Sequence, residues 1–419
     1  MTLTIISAET FQKHIDQAEF QFFEQSPQMA KLLEKRGYDV KIVGYEVAGD
    51  IKVSGILFST PIAGGLRMEL SRGPIITDRT YIKNFYQALQ EFAKQHNAIE
   101  LVVKPYLTYQ NFDTDGNPID EPDSTVITNL TSLGYEHLGL QTGYNSGDWY
   151  YIKDLTGLTQ DTLFKSFSKK GKPLVKKAKT FGMKIQKLGR EQLALFKEIT
   201  SATSDRREFD DKTLEYYEYL YDSFGEQAEF LVVTLNFQDY WQNLSRDQEK
   251  LKEKIDRLAS DLEHNPNSDK KQNQHRELSS QYDTFEVRKQ EAQEFINRYG
   301  QKDVPLCASL FVYLDREAYY LFSGSYPEFN KFYAPTLLQE HVMLEAIKRG
   351  ITSYNFLGIT GQFDGSDGVL RFKQNFNGYI VRKIGTFRYY PRPIKYKTIR
   401  LIKKIRDRLK ESLFTIPKS

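Results

Sequence analysis

Lys373 closes a stretch, Tyr319 to Lys373, in which strand-like runs (YYLFSGS, YNFLGI) alternate with a glycine-rich loop (GITGQFDGSDG). A lysine at the end of such a stretch stands where a pocket floor would be. On spacing alone, a surface lysine behind a core phenylalanine is the simpler reading. The remaining chemistry is cationic. Thr162 to Arg190 holds ten Lys/Arg and no acid, including Lys169, Lys170, Lys172, Lys176, Lys177 and Lys179. Arg382 to Ser419 holds thirteen, against Asp407 and Glu411. On a chain of net charge +3, two such segments point to phosphates, nucleic acid or a membrane surface as partners. Solvated helix faces would give the same composition. Smaller cation–aromatic groups are Lys35, Arg36 and Tyr38, and Arg206, Arg207 and Lys212 with Tyr216 one turn on.

Several classes are excluded. No GxxxxGK[ST] loop offers a nucleotide site. Cys307 is the one cysteine, so no internal disulfide forms, and six scattered histidines have no metal-ligand spacing; neither cofactor nor metal is expected. No apolar run approaches the about eighteen residues of a membrane span, and the N-terminus lacks a signal pattern. The expectation is a cytoplasmic protein.

The elements that must position these residues alternate between strands and helices, which gives a mixed α/β fold class. Residues 1–147 form one unit. Its helix begins at the N-cap Ser26 with Pro27 at the first helical position, carries the stripe Met29, Leu32 and Leu33, and closes at Gly37. Residues 148–391 form a second unit, entered by the strand DWYYIKDL. It is interrupted at 241–299 by two helical segments with apolar residues stepping four and three, joined at HNPNSDK. That is an antiparallel coiled-coil arm of roughly 35 Å, with Gln248 as a polar exception in its seam. Residues 392–419 form a basic amphipathic tail with Ile402, Ile405, Leu409 and Leu413 at helical spacing.

The order of SRGPIITD, VVKPYLTYQ, the KKAK helix, the inserted hairpin, YYLFSGS, YNFLGITG and GVLRFKQNF resembles the Fem-type aminoacyltransferases, FemA/FemB- and MurM/MurN-like, which build the peptidoglycan cross-bridge of Gram-positive bacteria. The resemblance spans nearly the whole chain. It implies two acetyltransferase-like (GNAT) domains with a coiled-coil arm. It also implies transfer of an amino acid of the Ala/Ser/Gly class from aminoacyl-tRNA to an amine of a peptidoglycan precursor, lipid-linked (lipid II) or nucleotide-linked. By the same resemblance Lys35, Arg36 and Tyr38, with Lys212 and Tyr216, hold the precursor's diphosphate and sugar. The family commonly has Arg at the Lys212 position, so Arg206 or Arg207 stands in for bidentate contact. Tyr320 and Phe322 match the aromatic strand beside the reactive centre, and Lys373 matches the lysine of the catalytic cavity. The acid-free basic run would meet tRNA phosphates without reading sequence, and the tail would rest on the inner face of an anionic membrane. Where several family members carry an aspartate this chain has Lys104, which favours a transfer in which the substrates relay the proton.

Two other classes compete. A CoA-dependent acetyltransferase-type enzyme would need a Q/R-x-x-G-x-G/A turn opening a helix, and no clean copy occurs. A non-catalytic adaptor would use the arm and basic runs to bind tRNA or membrane without transfer.

Overall fold

The computed structural model describes residues 3–207 and 210–414, with the side chains of 145, 207 and 407–414 outside the described set. Two eight-stranded sheets carry the chain. The first runs in the order Leu3–Ile5, Asp39–Val47, Asp50–Ile62, Gly65–Ser71, Ala98–Lys104, Phe387–Tyr389, Glu136–His137, with Ile75–Ile76 beside Asp50–Ile62. The second runs Lys184–Lys187, Ala228–Asn236, Asp303–Tyr313, Glu317–Ser325, Ser353–Gly358, Trp149–Asp154, Tyr379–Lys383, Thr108–Phe112. Each sheet contains one parallel pair: Gly65–Ser71 with Ala98–Lys104, and Glu317–Ser325 with Ser353–Gly358. This is the mixed α/β fold expected, two sheets with an inserted helical hairpin.

The boundary expected at 147/148 meets the entry to the second sheet at Trp149, but two strands cross it. Thr108–Phe112 lies in the second sheet, paired with Tyr379–Lys383, and Phe387–Tyr389 lies in the first, paired with Ala98–Lys104. Pro105 explains one crossing. It has no N–H to continue the ladder after Lys104, so the chain leaves the first sheet there.

Local signals are obeyed where capping decides the outcome. The Ser26 hydroxyl accepts from Met29 N at 3.1 Å, and the helix Pro27–Lys35 buries Met29, Leu32 and Leu33. That stripe joins an apolar core shared by both units, with Phe11 and Ile56 from the first and Tyr217, Phe230, Leu310 and Tyr319 from the second. Hydrogen bonds stitch the same junction: Tyr319 donates to Gln21 O at 2.8 Å and Arg316 to Glu19 O at 2.8 Å. An apolar junction of this kind fixes the two units relative to one another.

The arm consists of Phe237–His264 and Asp269–Tyr299, about 40 Å long. Phe237 stacks on Phe295 at 4.5 Å at the base, and Lys271 pairs with Asp261 at 3.0 Å near the tip, so the helices are antiparallel. The polar exception is satisfied. Gln248, only 4% exposed, donates to Glu286 at 2.6 Å and accepts from Lys289 at 3.1 Å. A buried polar layer fully matched in this way sets register at some cost in stability. Gln248→Ala strips both partners of their bonds. It is expected to destabilise the arm by about 1–2 kcal/mol, read as an earlier loss of helical circular dichroism in urea.

Candidate functional site

The helix Pro27–Lys35 of the first unit and the helix Leu214–Phe224 of the second meet end to side, and their cations and aromatic rings interleave. The Arg36 guanidinium lies 5.1 Å from the Tyr38 ring and 5.3 Å from the Tyr216 ring. Lys212 covers Tyr216 at 5.6 Å, and Tyr38 packs edge-on against Phe58 at 5.3 Å. Phe322 completes the group, 6.0 Å from Tyr216. Two groups far apart in sequence thus form one cation–aromatic cluster. Burial pushes the Tyr216 hydroxyl up to about 12, so the ring stays neutral. Lys35 is turned elsewhere: it pairs with Asp222 at 3.4 Å, a carboxylate that Arg190 also binds at 2.9 Å. Arg206 donates to Ser325 O at 3.3 Å, at the end of the strand Glu317–Ser325, and the Arg207 side chain lies outside the described residues.

Asp211, which sequence reasoning passed over, holds the Lys212 turn. Its carboxylate accepts from Lys197 at 2.6 Å, Tyr217 at 2.7 Å, Thr200 at 3.0 Å and the Lys212 amide at 2.8 Å. Burial opposes ionisation, but these donors win and hold the carboxyl below its usual range.

Beside the cluster the second sheet opens. Glu317–Ser325 and Ser353–Gly358 pair only from Glu317 to Tyr319 with Ser353 to Asn355. A register shift opposite Leu310 and Phe311 leaves Leu321 as an extra residue. Alternation would put Tyr320 and Phe322 on one face. The bulge separates them. Tyr320 stacks on Phe311 at 5.5 Å towards the core of the second unit, whereas Phe322 faces Tyr216 and Tyr217 at the junction.

On the far side of the opening, Leu357 has φ +59°. Its amide donates to Asn355 Oδ1 at 2.9 Å, and the Asn355 amide in turn donates to Tyr106 at 2.9 Å. Lys373 Nζ donates to the carbonyls of both Leu357 (3.0 Å) and Gly358 (2.6 Å). Lys373 is therefore neither a surface lysine nor a cation standing free in a pocket. It is 2% exposed and bridges the carbonyls that a neighbouring strand would otherwise satisfy. Burial pushes its ammonium down to about 7, opposed by Asp367. Asp367 caps the helix Gly368–Lys373 at Val369 N (2.8 Å) and accepts from Tyr144 (2.8 Å) and Thr360 (3.0 Å), which ties down the glycine-rich loop. The Asp-Gly at the end of GITGQFDGSDG was the available signal for that cap.

The basic segment forms two short helices, Gln160–Ser166 and Gly171–Lys179. Lys169, Lys170, Lys176, Lys177 and Lys179 are exposed and Lys172 is half-buried. Lys179 is engaged by Glu340 at 2.7 Å, and Lys177 covers Tyr333 at 5.3 Å. The segment is bonded to the turn that follows Lys373. Ser168 donates through N and Oγ to Asn375 O, both at 3.1 Å, and Asn377 donates to Ser166 O at 3.2 Å. A Cβ at Gly171 would collide with the Asn375 carbonyl, so the helix start needs glycine there. Lys104 donates to Glu69 at 2.6 Å, so this neighbouring strand supplies a carboxylate at that point. The tail helix Pro393–Phe414 exposes Ile394, Leu401, Ile402 and Ile405; the Leu409 and Leu413 side chains lie outside the described residues. Among the described residues no helix is long and apolar enough to cross a membrane.

A family model described as the FemAB family matches residues 6–404. The chain is 26% identical over 421 residues to Aminoacyltransferase FemA of Staphylococcus aureus (strain MRSA252), covering 98% of this chain and 100% of that one. The same enzyme of S. aureus strain N315 is 25% identical over the same span. The crystal structure of FemX superposes with a TM-score of 0.74 at 21% identity, over 95% of this chain and 100% of that one, a likeness of fold.

Burying Lys373 has a pH signature. With its folded value near 7 and its unfolded value near about 10.4, the unfolded chain binds the extra proton between those limits. Its contribution to stability therefore rises with pH across that window, by at most about 1.4 kcal/mol per unit. Lys373→Met removes this dependence. Measured by chemical denaturation, the variant should gain on the wild type at pH 7 and lose ground by pH 9.5; a constant difference would contradict the buried ammonium.

Proposed function

Because this chain belongs to the FemAB family, we propose that it is an aminoacyltransferase that moves an amino acid from aminoacyl-tRNA to an amine of a peptidoglycan precursor. The observation that carries this reading is the junction cluster of Arg36, Tyr38, Lys212, Tyr216 and Phe322 beside the parting strands. Cations set over aromatic faces suit a diphosphate next to a sugar, the ring meeting the sugar and the cation the phosphate oxygens.

The reaction needs no activation beyond the ester. A neutral amine of the precursor attacks the ester carbonyl, a C–N bond forms, and the C–O bond to the terminal ribose breaks. The ribose oxygen takes the proton that the amine gives up. The rate then depends on alignment and on charge at the developing oxyanion. We assign Lys373 to that charge, or to the tRNA terminus, reached by exchanging one of its two carbonyl partners. Glu69 occupies Lys104, which favours direct relay of the proton between substrates. The exposed lysines of 169–179 suit tRNA phosphates, and their bonding to Asn375 and Asn377 couples that contact to the Lys373 turn. For a lipid-linked precursor, the basic tail with its exposed isoleucines suits the membrane face.

The test is transfer from tRNA charged with labelled Ala, Ser or Gly to a nucleotide-linked precursor. Arg36→Ala should raise the KM for the precursor about tenfold with kcat little changed. Lys373→Met should abolish transfer while calorimetric precursor binding persists. Binding of both substrates by the wild type without transfer would make the protein an adaptor, and dependence on acyl-CoA would make it a different acyltransferase.

A second variant probes the coupling. Gly171→Ala drives a methyl into the Asn375 carbonyl. It should lower transfer about tenfold or more with precursor affinity unchanged, as a misplacement of the order of 1 Å away from the chemistry does.

A further inference from the structure

One cation in the junction has no assigned task. Arg72 sits in the turn between Gly65–Ser71 and Ile75–Ile76, at the carboxyl end of the first sheet's parallel pair. In open α/β sheets that end is where ligands gather. Its backbone is left-handed, φ +55°, a conformation that costs an arginine about 1 kcal/mol and a glycine almost nothing. The turn is held in that shape by Gln25, itself buried. The Gln25 amide donates to Ser71 O at 2.6 Å and accepts from Ile56 N at 2.7 Å.

What this turn delivers is a guanidinium. It lies 5.8 Å from the Tyr150 ring and runs so close to Gly147 that a Cβ there would collide with Nη2. Glu24 and Asp148 are near enough to act on it electrostatically, yet among the described residues Arg72 makes no hydrogen bond and no ion pair. Glu24 is occupied by Ser71 Oγ at 2.6 Å, and Asp148 is buried with Oδ1 unpartnered. Burial opposes its charge, but Tyr150, Glu24 and Asp148 outweigh that and favour the guanidinium, and its half-buried donors stay open to a ligand.

We propose that Arg72 is an additional acceptor-binding residue, taking a carboxylate of the precursor's peptide. The inference rests on the transferase reading above. Place and charge select the ligand. Glu24, held by the neighbouring Ser71 Oγ at 2.6 Å, acts on both Tyr216 and Tyr150, the rings over which Arg36 and Arg72 lie, so Arg72 belongs to the same junction as the cluster read as the diphosphate seat. Tyr150 pairs with Gly358, the residue whose carbonyl Lys373 holds, so the same path leads on to the parting strands. A peptide hanging from the diphosphate would cross this position on its way to the reactive centre. The diphosphate is already assigned to the Arg36 cluster, and the planar fork of arginine matches a carboxylate bidentately.

The left-handed backbone supplies a clean variant. Arg72→Gly suits the turn and is expected to melt no lower than the wild type. With a precursor whose peptide carboxylates are free, its KM should rise about tenfold or more while kcat stays within about threefold. With a precursor whose carboxylates are amidated, wild type and Arg72→Gly should share that high KM, and Arg72→Lys should recover part of the loss on the free acid. Equal effects on both precursors, or none on either, would overturn the assignment. Calorimetric titration of both precursors into both proteins reads the same comparison without turnover. A wild type that transfers nothing would defeat the transferase reading alone, whereas equal free-acid affinities would defeat the role of Arg72.

Discussion

Two neighbouring strands, Glu317–Ser325 and Ser353–Gly358, pair for three residues and then part, and the backbone groups they abandon must be satisfied some other way. Much of the second unit around the junction can be derived from that requirement. The carbonyls of Leu357 and Gly358 are taken by a buried ammonium, and the Leu357 amide by Asn355. Holding that ammonium in place requires the helix Gly368–Lys373, which requires the Asp367 cap, which in turn fixes the glycine-rich loop. A structural need and a chemical opportunity coincide in one lysine. The same positive charge that closes the strand end lies beside the place where this sheet opens next to the junction cluster.

The apolar core between the two units sets the geometry of everything that faces it. Arg36 and Tyr38 come from one unit, and Lys212, Tyr216 and Phe322 from the other, so the cluster exists only while that core is intact. Packing to interior density leaves little freedom for one unit to rock on the other. The cluster is therefore pre-formed, and substrates adapt to it more than it adapts to them. The arm is different in kind. It is held at its base by Phe237, Phe295 and Phe332, while its distal half is exposed along most of its length.

Features with a short-range cause were legible in the sequence. The Ser26 cap, the arm with its polar layer at Gln248 and the segregated lysines each follow from spacing within a few turns. Three others depend on partners distant in the chain. The bulge at Leu321 arises from mismatch with Asp303–Tyr313, so no pattern in YYLFSGS predicts that Tyr320 and Phe322 face opposite ways. The burial of Lys373 depends on carbonyls fifteen and sixteen residues upstream that a strand has released. Asp211 reads as one more acid in REFDDKT, and only the folded turn gathers Lys197, Thr200 and Tyr217 around it.

The crossing strands bear on the order in which the molecule can be made. Phe387–Tyr389 lies inside the first sheet, between Ala98–Lys104 and Glu136–His137, not at its rim. A nascent chain emerging from the ribosome holds every other strand of that sheet well before this one is synthesised. Until then Ala98–Lys104 presents an open edge, the kind of surface that recruits foreign strands. Completion of the first sheet thus waits on a strand that follows the whole of the second sheet in the chain.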